Sequence, residues 1–385
     1  MKLNFALVIA LFICTFSFAQ TDEEIGNDPE LTKKAEEKAK NRPGTYPVTD
    51  NIFMLKGMGG NIAVHHGIDG VLMIDTQFEN ISESILEAIA KETDLPLEFV
   101  INTHAHGDHT GGNKNFKRKG ATILAHENTR DIMLSKMYKT AEQQALADLE
   151  KSIDEAKGIS GSGEKLAAME ETKEELMIRI REQAQENMEI DYEQLPAISF
   201  QDDMLFHYND EEIKLFHIPN AHTKGDIMVY FPKSNVIHTG DAFVNGMYPF
   251  IDFENGGSYE GYQRGLTTIM NRANDETVII PGHGNLANRA DVIEMRRMMK
   301  IFYDKVVVEY MMNKTEDQVA EMRNFSELFD EKGYGDGFIT TERFLRSVYK
   351  AVALEKGRER DKNKRQTELL KKNQERAKKM DEGRQ

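Results

Sequence analysis

The chain has 385 residues, of which 39% are hydrophobic and 30% charged, and its formal net charge is −16. That length and apolar content suit one large folded domain with appendages, or two domains, and exclude a disordered or fibrous polymer. The acidic balance argues against nucleic acid and anionic membranes as general partners.

The N-terminus has Lys2, the apolar run LNFALVIALFICTFSFA and then QTDEE. A positive start, an apolar stretch and a small-x-small end at Ser17 and Ala19 are the features of a secretory leader cut before Gln20. The run is short for a membrane span, and Ile13 before Cys14 argues against lipid attachment. The expectation is a periplasmic or secreted protein with no stable membrane anchor once residues 1–19 are removed. Cys14, the only cysteine, lies inside this leader. The mature chain then has no disulfide, and a metal site in it must use His, Asp and Glu.

Residues 20–43 are polar, carry Pro29 and Pro43, and read as a linker. From residue 44 short β-type runs alternate with turns: NIFMLKG, NIAVHHG and GVLMIDTQF. SESILEAIAKET has helical spacing, and LEFVINTH and ATILAHE are further strands. Residues 127–190 are polar and helical. Leu134, Tyr138, Ala141, Ala145, Leu149, Ile153 and Ala156 step by three or four, GISGSG is a turn, and Leu166, Met169, Leu176, Ile180, Ala184 and Met188 resume the stripe. This predicts an inserted helical hairpin. Its plain reading is a solvated outgrowth; its functional readings are a lid over a site or a homodimer contact. AISF, MLFHYN, EIKLFHIPN, DIMVYFPK, NVIHTGD and TVIIPGHG return to strands, and the chain is helical from about 290. The main domain is therefore placed at 44–300 and a helical extension at 301–385. Twelve basic and seven acidic residues in 355–385 make the end of that extension a solvated tail. Strands, helix, strands, helical insert, strands and helices, in that order, predict an α/β sandwich with helices outside.

The stretch INTHAHGDHTGGN, 101–113, places His104, His106, Asp108 and His109 at the end of a predicted strand, with Gly107 to let the backbone turn. Zinc takes about four ligands, so four such side chains on one loop contribute to two centres and fill neither. His222 in IPNAHTKGD, Asp241 in NVIHTGDAF and His283 in VIIPGHGN each follow a predicted strand. Strand-end loops are where a rigid scaffold presents reactive groups.

On these residues the chain resembles the metallo-β-lactamase-fold hydrolases over about 45–300. The family motif H-x-H-x-D-H is matched by His104, His106, Asp108 and His109, and the later ligands by His222, Asp241 and His283. The resemblance implies an αββα sandwich with a dinuclear centre of two zinc ions, or of other divalent metals such as manganese or iron. It implies that His104, His106 and His222 hold one ion, that Asp108, His109 and His283 hold the other, and that Asp241 bridges them. Many true β-lactamases have Cys or Ser in that neighbourhood; Asp241 is the choice of the glyoxalase-type and lactonase-type branches. A hydroxide shared by the two ions would attack the substrate, with Asp108 as a catalytic residue accepting a hydrogen bond from it. The expected reaction is hydrolysis of a cyclic amide or ester in a small molecule, a β-lactam or a lactone. Thioester or phosphodiester hydrolysis, and a non-catalytic metal-binding protein, are the alternatives.

Other residues carry less. Asp75, at the end of GVLMIDTQF, reads either as support for the metal loop or as a helix cap. His238 reads as orienting the following T-G-D turn. MYPFIDFENGGS, 247–258, offers Tyr248, Phe250 and Phe253 as an apolar substrate wall. His65, His66, His207 and His217 read as structural, and His126 as packing or lining the site. DEKGYGDGFITTE, 330–342, has the outline of a calcium loop, but Lys332 and Arg343 stand where carboxylates are required. It reads as a turn between helices.

Overall fold

The computed structural model describes residues 42–140, 143, 190–324 and 326–382. Residues 1–41, where a leader and most of a linker are expected, and nearly all of 141–189, where the tip and second helix of a hairpin are expected, lie outside the described residues, as do the lid and homodimer readings.

Among the described residues twelve strands form two sheets. The first has seven: β1 (Gly44–Pro47), β2 (Ile52–Lys56), β3 (Ile62–Gly67), β4 (Gly70–Ile74), β5 (Leu97–Asn102), β6 (Thr122–His126) and β7 (Ile198–Phe200), in that order across the sheet. The second has five: β8 (Met204–Tyr208), β9 (Glu211–His217), β10 (Ile227–Phe231), β11 (Val236–His238) and β12 (Val278–Ile280), ordered β12-β11-β10-β9-β8. Every strand run expected from the sequence is present, and β1 is an addition.

Both faces of the central strands are buried, and the side-chain period of two assigns each residue to a layer. Ile52, Met54, Leu72, Ile74 and Ile101 of the first sheet meet Leu215, Val229, Phe231 and Ile280 of the second. The intervening residues Phe53, Leu55, Val64, Val71 and Met73 point the other way. They pack against helix α1 (Ser82–Glu92) through Ile85, Ala88 and Ile89. The outer face of the second sheet packs against three helices: α4 (Tyr259–Arg272), α5 (Arg289–Met311) and α8 (Thr341–Glu382). The layers are therefore helix, sheet, sheet, helix, as the α/β sandwich reading requires.

Caps fix two of these helices. The Ser258 side chain accepts from Gly261 N at the start of α4, and Asn288 and Asp291 form a capping box at the start of α5. Phe344, Leu345, Val348 and Val352 bury one stripe of α8, whereas residues 358–372 are exposed. The boundary placed at 300 needs correction. It falls inside α5, and Met295, Met299 and Phe302 share one apolar cluster with Val306, Phe344 and Val348. The C-terminal helices complete the sandwich and, among the described residues, share its core. Among the described residues no helix is long and apolar enough to cross a membrane.

Strand direction places the chemistry. β4, β5, β6 and β7 are parallel neighbours, as are β11 and β12. Their C-terminal ends lie along one edge of the sandwich, joined across the sheets by Ile227 N donating to Thr103 O at 3.0 Å and Asn61 N to Gly282 O at 2.7 Å.

Candidate metal centre

The loop after β5 leads into a short helix, α2 (Gly107–Thr110), followed by α3 (Asn113–Arg118). Gly107 has no positive φ, and a Cβ there would meet nothing within 4 Å. The bend does not depend on glycine, contrary to the expectation; the turn is an ordinary helix start.

Seven side chains converge at this edge, and they are the seven singled out from the sequence. One ligand atom each from His104, His106, His222 and Asp241 lie within 4.8 Å of one another, and so do those of Asp108, His109 and His283. His106 Nδ1 lies 2.8 Å from His222 Nε2. In the second group His109 Nε2 lies 3.3 Å from His283 Nε2, and Asp108 Oδ2 lies 3.2 Å from His283 Nε2. Asp241 stands between the groups. Its Oδ1 lies 3.3 Å from His109 Nε2 and 3.5 Å from His283 Nε2, and its Oδ2 lies 3.5 Å from His222 Nε2 and 3.9 Å from His104 Nε2. Tetrahedral ligands at about 2.0 Å from an ion would sit roughly 3.3 Å apart, and most of these separations are close to that. Two of the atoms are orphans: His104 Nε2 and Asp241 Oδ1 are buried with no hydrogen-bond partner among the described residues. Buried polar atoms rarely go unsatisfied, so the donor set fits a cation and is able to bind metal.

Three of the five imidazoles are turned by a carboxylate or carbonyl on their other nitrogen, the usual support for metal-ligating histidine. His109 Nδ1 is held by Asp75 Oδ2 at 2.8 Å. His222 Nδ1 donates to Phe250 O at 2.8 Å, and His106 Nε2 pairs with Asp252 Oδ2 at 2.8 Å. Asp75 is wholly buried and also accepts from Thr103 N and Thr103 Oγ1, both at 2.7 Å. Of the two readings of Asp75, loop support is the one the contacts match. His238 touches none of the seven; its Nε2 donates to Asn61 O at 3.0 Å and its Nδ1 accepts from Gly240 N at 3.2 Å, so it orients the turn that carries Asp241. The pairing of Asp252 with His106 was not anticipated from the sequence.

Electrostatics divide the histidines. Burial drives His104 well below the usual imidazole range, and takes His222 down to about 4. Burial also opposes charge on His109, but the carboxylates of Asp241 and Asp75 outweigh it and raise His109 well above that range. His283, opposed by burial but favoured by Asp241 and Asp108, is pushed up to about 9. Burial works against ionisation of Asp241 as well, yet His283 and His109 hold its carboxyl well below the usual carboxylate range.

A cleft of about 390 Å³ opens over His106, Asp108, Asp241 and His283. Its apolar wall comes from Phe78, Met247, Tyr248, Phe250 and Phe338. Of the three aromatic residues expected there, Phe250 is half-exposed in the cleft. Tyr248 forms buried floor, its ring stacked on Phe344 and its hydroxyl donating to Asp330 Oδ1 at 3.0 Å. Phe253 does not line this cleft; it packs on the helical cluster under Lys350 and faces a different cavity. The loop turns away after Asp252, whose carboxylate accepts from Glu254 N and Asn255 N. His126 also stays away, stacked on His217 at 3.8 Å. The helix at 127–140 packs beside the site through Ile132 and Met133 against Ala105, and Lys136 Nζ donates to Ala105 O at 3.1 Å.

The model of the metallo-β-lactamase superfamily matches residues 57–283. The chain belongs to that superfamily, whose members are metal-dependent hydrolases. It is 19% identical over 306 residues to a metallo-β-lactamase type 2 of Bacillus cereus, covering 76% of this chain and 94% of that one. A shorter stretch of 90 residues is 32% identical to the alkyl/aryl-sulfatase BDS1 of Saccharomyces cerevisiae; it covers 23% of this chain and only 14% of that one. The solved structure of the inverting sec-alkylsulfatase Pisa1 from Pseudomonas sp. superposes with a TM-score of 0.54 at 15% identity, over 80% of this chain and 50% of that one. That likeness is one of fold.

Proposed function

We propose that this superfamily member is an exported dinuclear zinc hydrolase that opens a cyclic amide or ester, of the β-lactam or lactone type, in a small-molecule substrate. His104, His106 and His222 would hold one ion, Asp108, His109 and His283 the other, and Asp241 would touch both. The observation that carries this reading is the placement of Asp241, with one carboxylate oxygen turned to each histidine group. Bound divalent ions supply Lewis-acid polarisation and activate water near neutral pH. Zinc suits the mixed imidazole and carboxylate set, and manganese or iron are the alternative loads.

The chain's own residues do the rest. Asp75, Asp252 and the Phe250 carbonyl hold three imidazoles in register. Asp108 is kept ionised: burial opposes this, but His283 and His109 outweigh it. It lines the cleft, where it accepts a hydrogen bond from the attacking water and orients it. Phe250 and Met247 exclude bulk water from one side.

The stretch similar to the yeast alkyl/aryl-sulfatase supports a second reading, hydrolysis of a sulfate ester. The test is a panel of β-lactams, lactones, thioesters, phosphodiesters and alkyl sulfates on the metal-loaded mature chain, with metal content measured in parallel. About two ions per chain and turnover of lactones or β-lactams, lost with chelator and in His106→Ala, are expected. Turnover of sulfate esters alone would replace the first reading, and a folded, unchelated protein without metal would refute both.

A further inference from the structure

We infer that the C-terminal extension completes a wall that selects substrates by their apolar group, with Phe338 as the specificity-determining residue. The occupant is a linear alkyl or acyl group attached to the hydrolysed bond. This deepens the hydrolase reading above and rests on it.

Among the described residues three phenylalanines are exposed: Phe78 at 38%, Phe250 at 38% and Phe338 at 73%. All three line the cleft that holds His106, Asp108, Asp241 and His283. A scattered exposed apolar side chain needs no explanation. Three bulky ones converging on one concave face do, because grouped apolar surface left in water marks a binding site.

Phe338 comes from an unexpected quarter. It lies in the stretch 330–342 that reads in sequence as a plain turn between helices, and beyond residues 57–283 that match the superfamily. It is nonetheless held in place. Its ring meets the Phe250 ring edge-on, with centroids 6.2 Å apart at 88°. The Arg343 guanidinium lies over it at 4.4 Å and donates to Phe338 O at 2.7 Å. The next residue, Ile339, is buried in the helical cluster and anchors the turn. A large exposed ring fixed from both neighbours can receive a ligand with little ordering cost. With the reacting bond at the ligand cluster, the remainder of the substrate runs toward Phe250 and Phe338. Each methylene that reaches this wall should gain about four-fold in apparent affinity.

Two measurements test this on the full metal-loaded chain. The first is kcat/KM for 4-nitrophenyl esters from acetate to octanoate. The wild type should show a rising chain-length slope of up to about four-fold per methylene; Phe338→Ala should flatten it and Phe338→Leu should restore most of it. Ile68→Ala, on the turn at the far end of β4, should keep the wild-type slope. The second is calorimetric binding of n-alkyl carboxylates from butanoate to decanoate, which needs no turnover. An unchanged slope in Phe338→Ala in the binding series overturns the wall, whatever the esters do. Length-dependent binding lost in Phe338→Ala, with no ester hydrolysed, supports the wall and counts only against the hydrolase reading.

Discussion

Asp75→Asn should weaken one metal position and spare the other. Asp75 sits at φ +67°, a conformation asparagine also tolerates, so the backbone keeps its shape. The amide oxygen can still accept from Thr103 N, which leaves the amide NH₂ facing His109 Nδ1. A donor there forces Nδ1 to accept and moves the ring proton to Nε2, the nitrogen that faces His283 and Asp241. A ligand nitrogen carrying a proton cannot bind metal. The lost charge-assisted bond is worth about 1.5–3 kcal/mol, roughly 10- to 150-fold in an equilibrium constant, in line with the 10–100-fold typical of such supporting partners. Competition against a chromophoric chelator resolves two stepwise affinities. The expected result is a loss of about 10- to 100-fold in one step and little change in the other. Both affinities within two-fold of wild type, in a protein that still unfolds cooperatively, would show that Asp75 does not set the His109 tautomer.

Asp252→Ala should give the complementary result, because it frees His106 instead; the affinity step that Asp75→Asn spares should be the one that falls. Gly282→Ala places a Cβ 2.0 Å from Asp241 Oδ1 and 2.6 Å from the Gly240 carbonyl carbon, so the carboxylate must move. Metal content and turnover should drop together, with about 1–3 kcal/mol of stability lost to overpacking. Gly107→Ala meets nothing and lies in a helical turn, so thermal unfolding of the metal-free chain should be unchanged or shifted up by roughly 0.5–1 kcal/mol. A large loss there would contradict the absence of a glycine requirement. Loading at pH 7.5 should release protons, read by calorimetry in buffers of different ionisation enthalpy, because His283 titrates near 9 without metal. The sign for stability follows: the raised imidazole stabilises the metal-free fold below about 6.5, and that contribution is lost as pH rises through about 9. Asp226, pushed up to about 8 by burial, adds a loss of its own that begins near 3.8 and is complete by about 8, so only its last part overlaps that rise. A metal-free chain equally stable at pH 6.5 and pH 9 would contradict both assignments.

The ligands were legible because they are local motifs at strand ends, and strands buried on both faces write themselves as unbroken apolar runs. The period of two then fixes which residues meet the other sheet. What could not be read depends on contacts distant along the chain. Asp252 lies 146 residues from His106, in a loop whose aromatic residues draw the eye first. Phe253, next to it, points into the helical cluster because the Asp252 carboxylate closes a tight turn on Asn255. The extension looked separable because the end of α8 is so charged. Its start, through Val352, is amphipathic, and that stripe covers the outer face of the second sheet together with α4 and α5.

Sequence reading also cannot separate the histidines, which differ only in what surrounds them. His104 and His109 are five residues apart and both wholly buried, yet one is held neutral and the other charged when no metal is present. Burial alone would neutralise both. The difference is two carboxylates: Asp241 Oδ1 lies 3.3 Å from His109 Nε2 and Asp75 Oδ2 holds His109 Nδ1, whereas His104 Nε2 is 3.9 Å from Asp241 and its Nδ1 has only the Thr103 hydroxyl at 3.1 Å. The neutral pair His104 and His222 presents free lone pairs at neutral pH, and the charged pair His109 and His283 must first give up protons. The two sides of Asp241 therefore differ in the charge that their imidazoles carry without metal. The carboxylates of Asp241, Asp75 and Asp108 favour a proton on His109 and His283 when no metal is bound; a cation would take the place of those protons beside the same carboxylates, so binding on that side is coupled to proton release.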